Sequence, residues 1–120
     1  MRGWGRRRGK FNAKPVLIDG IKFPSILEGT CYTELKMMLA AKQIADLELQ
    51  VKFDLIVLGI KVCGIVPDFR YKCLIRKKQV IREAKGKPMP DWIIKWKLLQ
   101  ILYPEYEYEL YTSKTKGKRK

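Results

Sequence analysis

Glu83 and Lys85, two apart in Val80-Ile81-Arg82-Glu83-Ala84-Lys85-Gly86, with Asp68 upstream in Val66-Pro67-Asp68-Phe69, are the residues best equipped for chemistry. Side chains alternate along a strand with a period of two, so a strand through Val80–Ala84 puts Glu83 and Lys85 on one face. If Asp68 lies on an antiparallel neighbour, its carboxylate joins Glu83 in an oxygen-rich cup. Such a cup suits Mg²⁺, which takes one or two carboxylates together with waters and phosphate oxygens. A lysine beside it can hold the attacking water or steady charge developing on a phosphate, chemistry that amounts to phosphodiester hydrolysis. Alternating charges on the solvent face of an ordinary amphipathic strand give the same string, so the spacing alone leaves both readings open.

Direct opposition of Asp68 and Glu83 sets a condition on the chain between them. The turn must centre between Ile75 and Arg76, neither of which forms turns readily, while the polar cluster Arg76-Lys77-Lys78 falls slightly late. A bulge or a wider loop would keep the register; otherwise the carboxylates are offset along their strands.

The elements that must position these groups are legible in outline. Val16-Leu17-Ile18, Asp19-Gly20 and Ile21-Lys22-Phe23 read as a tight hairpin. Ser25 starts a helix to about Lys42, with Leu27, Cys31, Leu35, Met38 and Leu39 at helical spacing. Residues 47–55 alternate as one strand, Leu58-Gly59 turns the chain into Ile60–Val66, and Phe69–Ile75 and Gln79–Ala84 complete an antiparallel meander. Asp91 caps a second helix through about Leu102, with Ile94, Leu98, Leu99, Ile101 and Leu102 on its buried side. A last strand spans Tyr106–Tyr111. The order predicts a compact α/β fold of helix, antiparallel meander, helix and strand. Trp92 and Trp96, four apart on the second helix, suit either packing along its edge or base stacking.

The chain of 120 residues is one domain, 47% hydrophobic, with a formal charge of +14. Residues 1–14 hold Arg2, Arg6, Arg7, Arg8, Lys10 and Lys14, and the last seven hold Lys114, Lys116, Lys118, Arg119 and Lys120, with no acidic residue in either stretch. The expected organisation is therefore a flexible basic arm over 1–14, a folded body over 15–112 and a basic tail over 113–120. Such arms suit a polyanion, bound largely without regard to sequence through counterion release. Nucleic acid fits better than an anionic membrane, because neither tail carries an amphipathic basic helix with bulky apolar residues. The complete lack of histidine excludes His-dependent zinc sites, HNH-type nucleases and Ser-His or Cys-His triads. Cys31, Cys63 and Cys73 lack C-x-x-C spacing and lie in apolar segments, as buried thiols in a reducing cytosol do. No apolar run approaches bilayer length, and no signal-peptide core follows the basic N-terminus, so a cytoplasmic protein is expected.

The succession of motifs resembles the PD-(D/E)XK nuclease superfamily, and within it a group of small phage-encoded proteins. The stretches that carry the resemblance are Ile21–Glu28, Tyr32–Lys36, Leu47–Phe53, Pro67-Asp68-Phe69, Glu83–Gly86 and Leu102-Tyr103-Pro104, covering about residues 11–110. It implies a restriction-endonuclease-like core and a DNA endonuclease using Mg²⁺ or Mn²⁺. Asp68, Glu83 and the Ala84 carbonyl would hold the metal, Lys85 would be the catalytic lysine, and Glu28 would be a further catalytic acid. Glu28 equally completes a capping box, Ser25-Ile26-Leu27-Glu28, by bonding back to the Ser25 N–H. Gln50 and Lys52, read as sharing a strand face and matching a family motif, would contact the substrate backbone, assisted by Arg6, Arg7, Arg8, Lys10, Lys116, Lys118 and Arg119. Comparison with junction-resolving enzymes of this size implies branched DNA as substrate, a homodimer, and a host cell carrying a phage or prophage. Other classes compatible with the charge are a non-catalytic nucleic-acid-binding protein and a phage structural protein.

Overall fold

The computed structural model describes residues 14–113, so Arg6, Arg7, Arg8, Lys10, Lys116, Lys118 and Arg119 lie outside the described residues. The chain opens with a hairpin, β1 (Val16–Ile18) and β2 (Ile21–Phe23), turned by Asp19 and Gly20, both at positive φ. Helix α1 (Ile26–Ala40) follows, capped by the Ser25 hydroxyl, which accepts from the Glu28 N–H at 3.1 Å. It ends through Lys42, at φ 61, whose N–H returns to the Leu39 carbonyl. Gly29 lets β1 cross this helix closely, since a Cβ there would stand 2.6 Å from Val16 Cγ2.

Strands β3 (Ile44–Leu49), β6 (Phe69–Cys73), β7 (Lys78–Ala84) and β8 (Glu107–Tyr111) form one sheet in that spatial order. Its first two pairings are antiparallel and β7–β8 is parallel, reached through helix α2 (Pro90–Leu102). Strands β4 (Phe53–Val57) and β5 (Ile60–Ile65) pair only with each other, as a hairpin inserted between β3 and β6. The expected meander is thus interrupted, because β3 pairs with β6 across the hairpin. The expected strand over 47–55 is two strands broken at Gln50, whose φ of 57 removes it from extended geometry.

Two cores flank the sheet. On one face, Cys31, Tyr32 and Leu35 of α1 pack on Phe69, Tyr71, Val80 and Tyr111. On the other, Trp96 and Leu99 of α2 meet Ile81 and the inner face of the hairpin, Phe53, Leu55 and Ile65. Successive β7 residues therefore serve opposite cores, which is what the two-residue period requires. The expected buried side of α2 needs correction. Leu98, Leu99 and Leu102 pack on this core as expected, but Ile94 and Ile101 are exposed, and Trp92, Trp96 and Tyr103 complete the inward side. Nor does Asp91 cap α2: Met89 holds the N-cap position without a side-chain bond, Pro90 begins the helix, and Asp91 lies in its first turn. Cys31 and Cys73 are buried free thiols as expected, whereas Cys63 is half-buried. Among the described residues no helix is long and apolar enough to cross a membrane.

Candidate functional site: a buried acidic cluster

The register of β6 and β7 settles the condition set by the sequence. Phe69 pairs with Arg82 and Cys73 with Lys78 without any shift, so continuing the ladder by one step sets Asp68 against Glu83. The connection is a four-residue turn, Leu74–Lys77, with Lys77 at φ 57. A wider loop, not a bulge, keeps the carboxylates opposite.

Asp68 and Glu83 are also tied together. The Asp68 N–H donates to Glu83 Oε1 at 3.1 Å, and the Ala84 N–H donates to Asp68 Oδ2 at 2.9 Å. Since the N–H and C=O of one strand residue leave on the same side, the Ala84 carbonyl faces the Asp68 edge as well. Lys85 Nζ lies 3.3 Å from Glu83 Oε2 and 4.8 Å from the centre of the Trp92 ring, which stacks on Trp96. The two-residue spacing of Glu83 and Lys85 thus places carboxylate and ammonium side by side.

Glu28 enters from the first turn of α1. The Ser25 half of the capping box forms, but the Glu28 carboxylate does not return to the Ser25 N–H. The Glu28 backbone N–H meets the Ser25 hydroxyl, while its carboxylate accepts from Gln50 Nε2 at 3.4 Å and lies beside Asp68. The same Gln50 Nε2 reaches Asp68 Oδ1 at 3.3 Å, and the Gln50 N–H donates to the Asp68 carbonyl at 3.0 Å. Gln50 is therefore a bridge between two acids, held by its left-handed backbone, and it shares no strand face with Lys52. Lys52 is exposed, its stem passing over Gly64.

The electrostatics of this cluster are unbalanced. Glu28, Asp68 and Glu83 retain only 7, 8 and 5% exposure, and among the described residues a single ammonium, Lys85, faces them. Burial, then the neighbouring Asp68 charge, pushes the Glu28 carboxyl up to about 8. The same two causes push Glu83 up to about 7 against the opposing pull of Lys85, and burial raises Asp68 despite its bonds to Ala84 and Gln50. Like charges in a low dielectric resist ionisation, and a divalent cation would relieve that resistance. The donor set is oxygen-only and hard, as Mg²⁺ or Mn²⁺ requires. Among the described residues no three Asp, Glu or Cys side chains make a ready-made metal cage. Two carboxylates with the Ala84 carbonyl, leaving other positions to water and phosphate, is the set that fits. An open depression of about 800 Å³ lies elsewhere, beside Glu48, Arg70, Lys78 and Tyr106. Arg70 there is paired with Glu48 at 2.6 Å.

Trp92 is the neighbour of the site that spacing did not reveal. Only the Gly86–Pro90 connection, which folds the start of α2 back toward Lys85, brings the ring there.

Fold and site define a small α/β protein carrying a buried acidic cluster with one lysine. The chain belongs to DUF1064, a family of proteins of unknown function, whose model matches residues 8–118. No curated protein and no solved structure matches it.

Proposed function

We propose that this protein is a metal-dependent endonuclease that hydrolyses DNA phosphodiester bonds at branched structures, built on a PD-(D/E)XK-type core. The observation that carries this reading is the opposition of Asp68 and Glu83 across β6 and β7, with Lys85 and Glu28 converging on the same end of the sheet. Asp68, Glu83 and the Ala84 carbonyl would hold the cation. Bound there, Mg²⁺ or Mn²⁺ supplies Lewis-acid polarisation of a phosphoryl oxygen and lowers the pKa of a coordinated water. Lys85 has three N–H donors, of which Glu83 needs one, leaving others for a non-bridging phosphate oxygen where charge develops. Glu28, with its carboxyl pushed up to about 8, can take up or hold a proton at a carboxylate oxygen near neutral pH. The Arg- and Lys-rich ends supply sequence-blind backbone affinity, which favours recognition by shape over base sequence. Cutting a four-way junction on two strands calls for two copies of the site, and hence a homodimer.

The test is cleavage of labelled four-way junction, flap, single-stranded and linear duplex DNA by wild type and Asp68→Asn, in Mg²⁺, Mn²⁺ and EDTA. The expected result is cutting of branched substrates that falls about 10³-fold in the variant and stops in EDTA, with binding retained. Tight binding without cutting of any substrate in either metal contradicts the reading and leaves a non-catalytic nucleic-acid-binding protein.

A further inference from the structure

Two hairpins of this chain, β1–β2 and β4–β5, share a turn geometry but place different residues in it. At Asp19-Gly20 both central residues have positive φ, 54 and 76, which is the signature of a type I′ turn and suits Asp-Gly. The Asp19 carboxylate is also used, accepting from the Tyr32 hydroxyl at 2.8 Å. The β4–β5 turn has the same signature, with φ of 52 and 81, but its first central residue is Leu58. A leucine in the left-handed region costs roughly 1 kcal/mol or more, and this one is 96% exposed. Among the described residues nothing offsets that cost. Ile56, Ile60 and Val62 beside it are exposed as well, so the hairpin ends in an apolar tip.

The base of the same hairpin is fastened. Phe53 meets the Tyr103 and Tyr106 rings edge-on at 5.0 and 5.7 Å, and the Tyr103 hydroxyl donates to the Asp54 carbonyl at 3.0 Å. Its two legs run directly into the acidic cluster, since Gln50 precedes β4 and Asp68 follows β5. Leu58 is eight residues from Gln50, so at about 3.3 Å per residue the tip and the site are at most roughly 26 Å apart, under one turn of duplex DNA.

We infer that the Leu58 tip is a wedge that enters the opened base stack at a DNA branch point and sets which structures reach the acidic cluster. This rests on the endonuclease reading above. Exposed apolar side chains can insert between base steps where stacking is already weak, and a branch point lowers the cost of unstacking. The chain's charge of +14 suits nucleic acid as the occupant. A tip of four side chains also falls short of the roughly 800 Å² per partner of a standard protein interface.

The experiment uses the full chain in EDTA, where cleavage does not enter, with 2-aminopurine placed at the branch point of a four-way junction or at mid-duplex. The variant is Leu58→Asn, which fits the left-handed turn better than leucine and therefore folds. Wild type is expected to raise branch-point emission several-fold and to leave the duplex probe unchanged. Leu58→Asn should lose most of that rise and about tenfold in preference for junction over duplex, while duplex affinity from the tails holds. Equal emission and equal preference in variant and wild type would overturn the wedge, as would no branch-point response from wild type. So would a variant whose only change is loss of self-association in sedimentation without DNA. Because no step requires hydrolysis, absence of metal-dependent cutting by wild type would count against the nuclease reading alone.

Discussion

Arg82 and Glu83 are consecutive on β7, and the two clusters they enter are opposites. Arg82 turns toward α1, where its guanidinium lies 5.6 and 5.7 Å from the Tyr71 and Tyr111 rings and bonds Glu109 at 2.7 Å. Glu109 also accepts from the Tyr71 hydroxyl at 2.7 Å. Burial would raise the Glu109 carboxyl, but Arg82, Tyr71 and Arg76 outweigh it and hold it below the usual carboxylate range. Burial would likewise lower Arg82, and Tyr71 and Glu109 outweigh that too. Around Glu83, among the described residues, three acids face one ammonium, and two of them are pushed up to about 7 and 8. Arg82 and Glu109 satisfy each other, whereas the three acids are held against the cost of their own burial.

The largest effect is expected on the balanced side. Arg82→Met leaves the half-buried Glu109 without its strongest partner and should cost about 2 kcal/mol, read as a lowered denaturant midpoint. Divalent-cation affinity of the folded fraction should be unchanged, because Arg82 faces away from Asp68 and Glu83.

A smaller effect of opposite sign is expected on the unbalanced side. Glu28 and Glu83 ionise near their ordinary value, 4.5, when unfolded but only at about 8 and 7 when folded. The folded chain therefore holds protons that the unfolded chain has lost, so these groups favour folding below about pH 4.5 and lose that contribution as pH rises toward 8. Glu109 and Glu48, held low, act in the reverse sense and only on the acid side. In EDTA the melting temperature should fall between pH 5 and 8.5. Glu28→Gln should flatten that fall and raise stability at pH 8 by on the order of 1 kcal/mol. Added Mn²⁺ should stabilise wild type more at pH 8 than at pH 5, since it binds the deprotonated acids. A melting temperature independent of pH in wild type would remove the distinction between the two clusters.

Much of this arrangement was legible in local sequence. Asp19-Gly20 fixed the first hairpin, Ser25 the start of α1, and the equal spacing of Asp68 and Glu83 about residue 75.5 the facing acids. What escaped is set by tertiary contact. Gln50 interrupts an unbroken alternation because its left-handed φ has no compositional mark, and only its bonds to Asp68 and Glu28 explain it. Helix α2 is apolar on more than one side, so helical spacing alone could not show that Trp96 is covered and Ile101 is not. The Arg82–Glu109 pair joins residues 27 apart through a parallel ladder, which no short-range pattern announces.

The most direct measurement is calorimetric titration of Mn²⁺ into wild type, Asp68→Asn and Glu83→Gln at pH 7.5, with no nucleic acid present. Binding to wild type with release of protons is expected, weakened at least about tenfold in each variant while both stay folded. Equal Mn²⁺ affinity in all three, or binding to wild type without proton release, would contradict the claim that this cluster is a cation site.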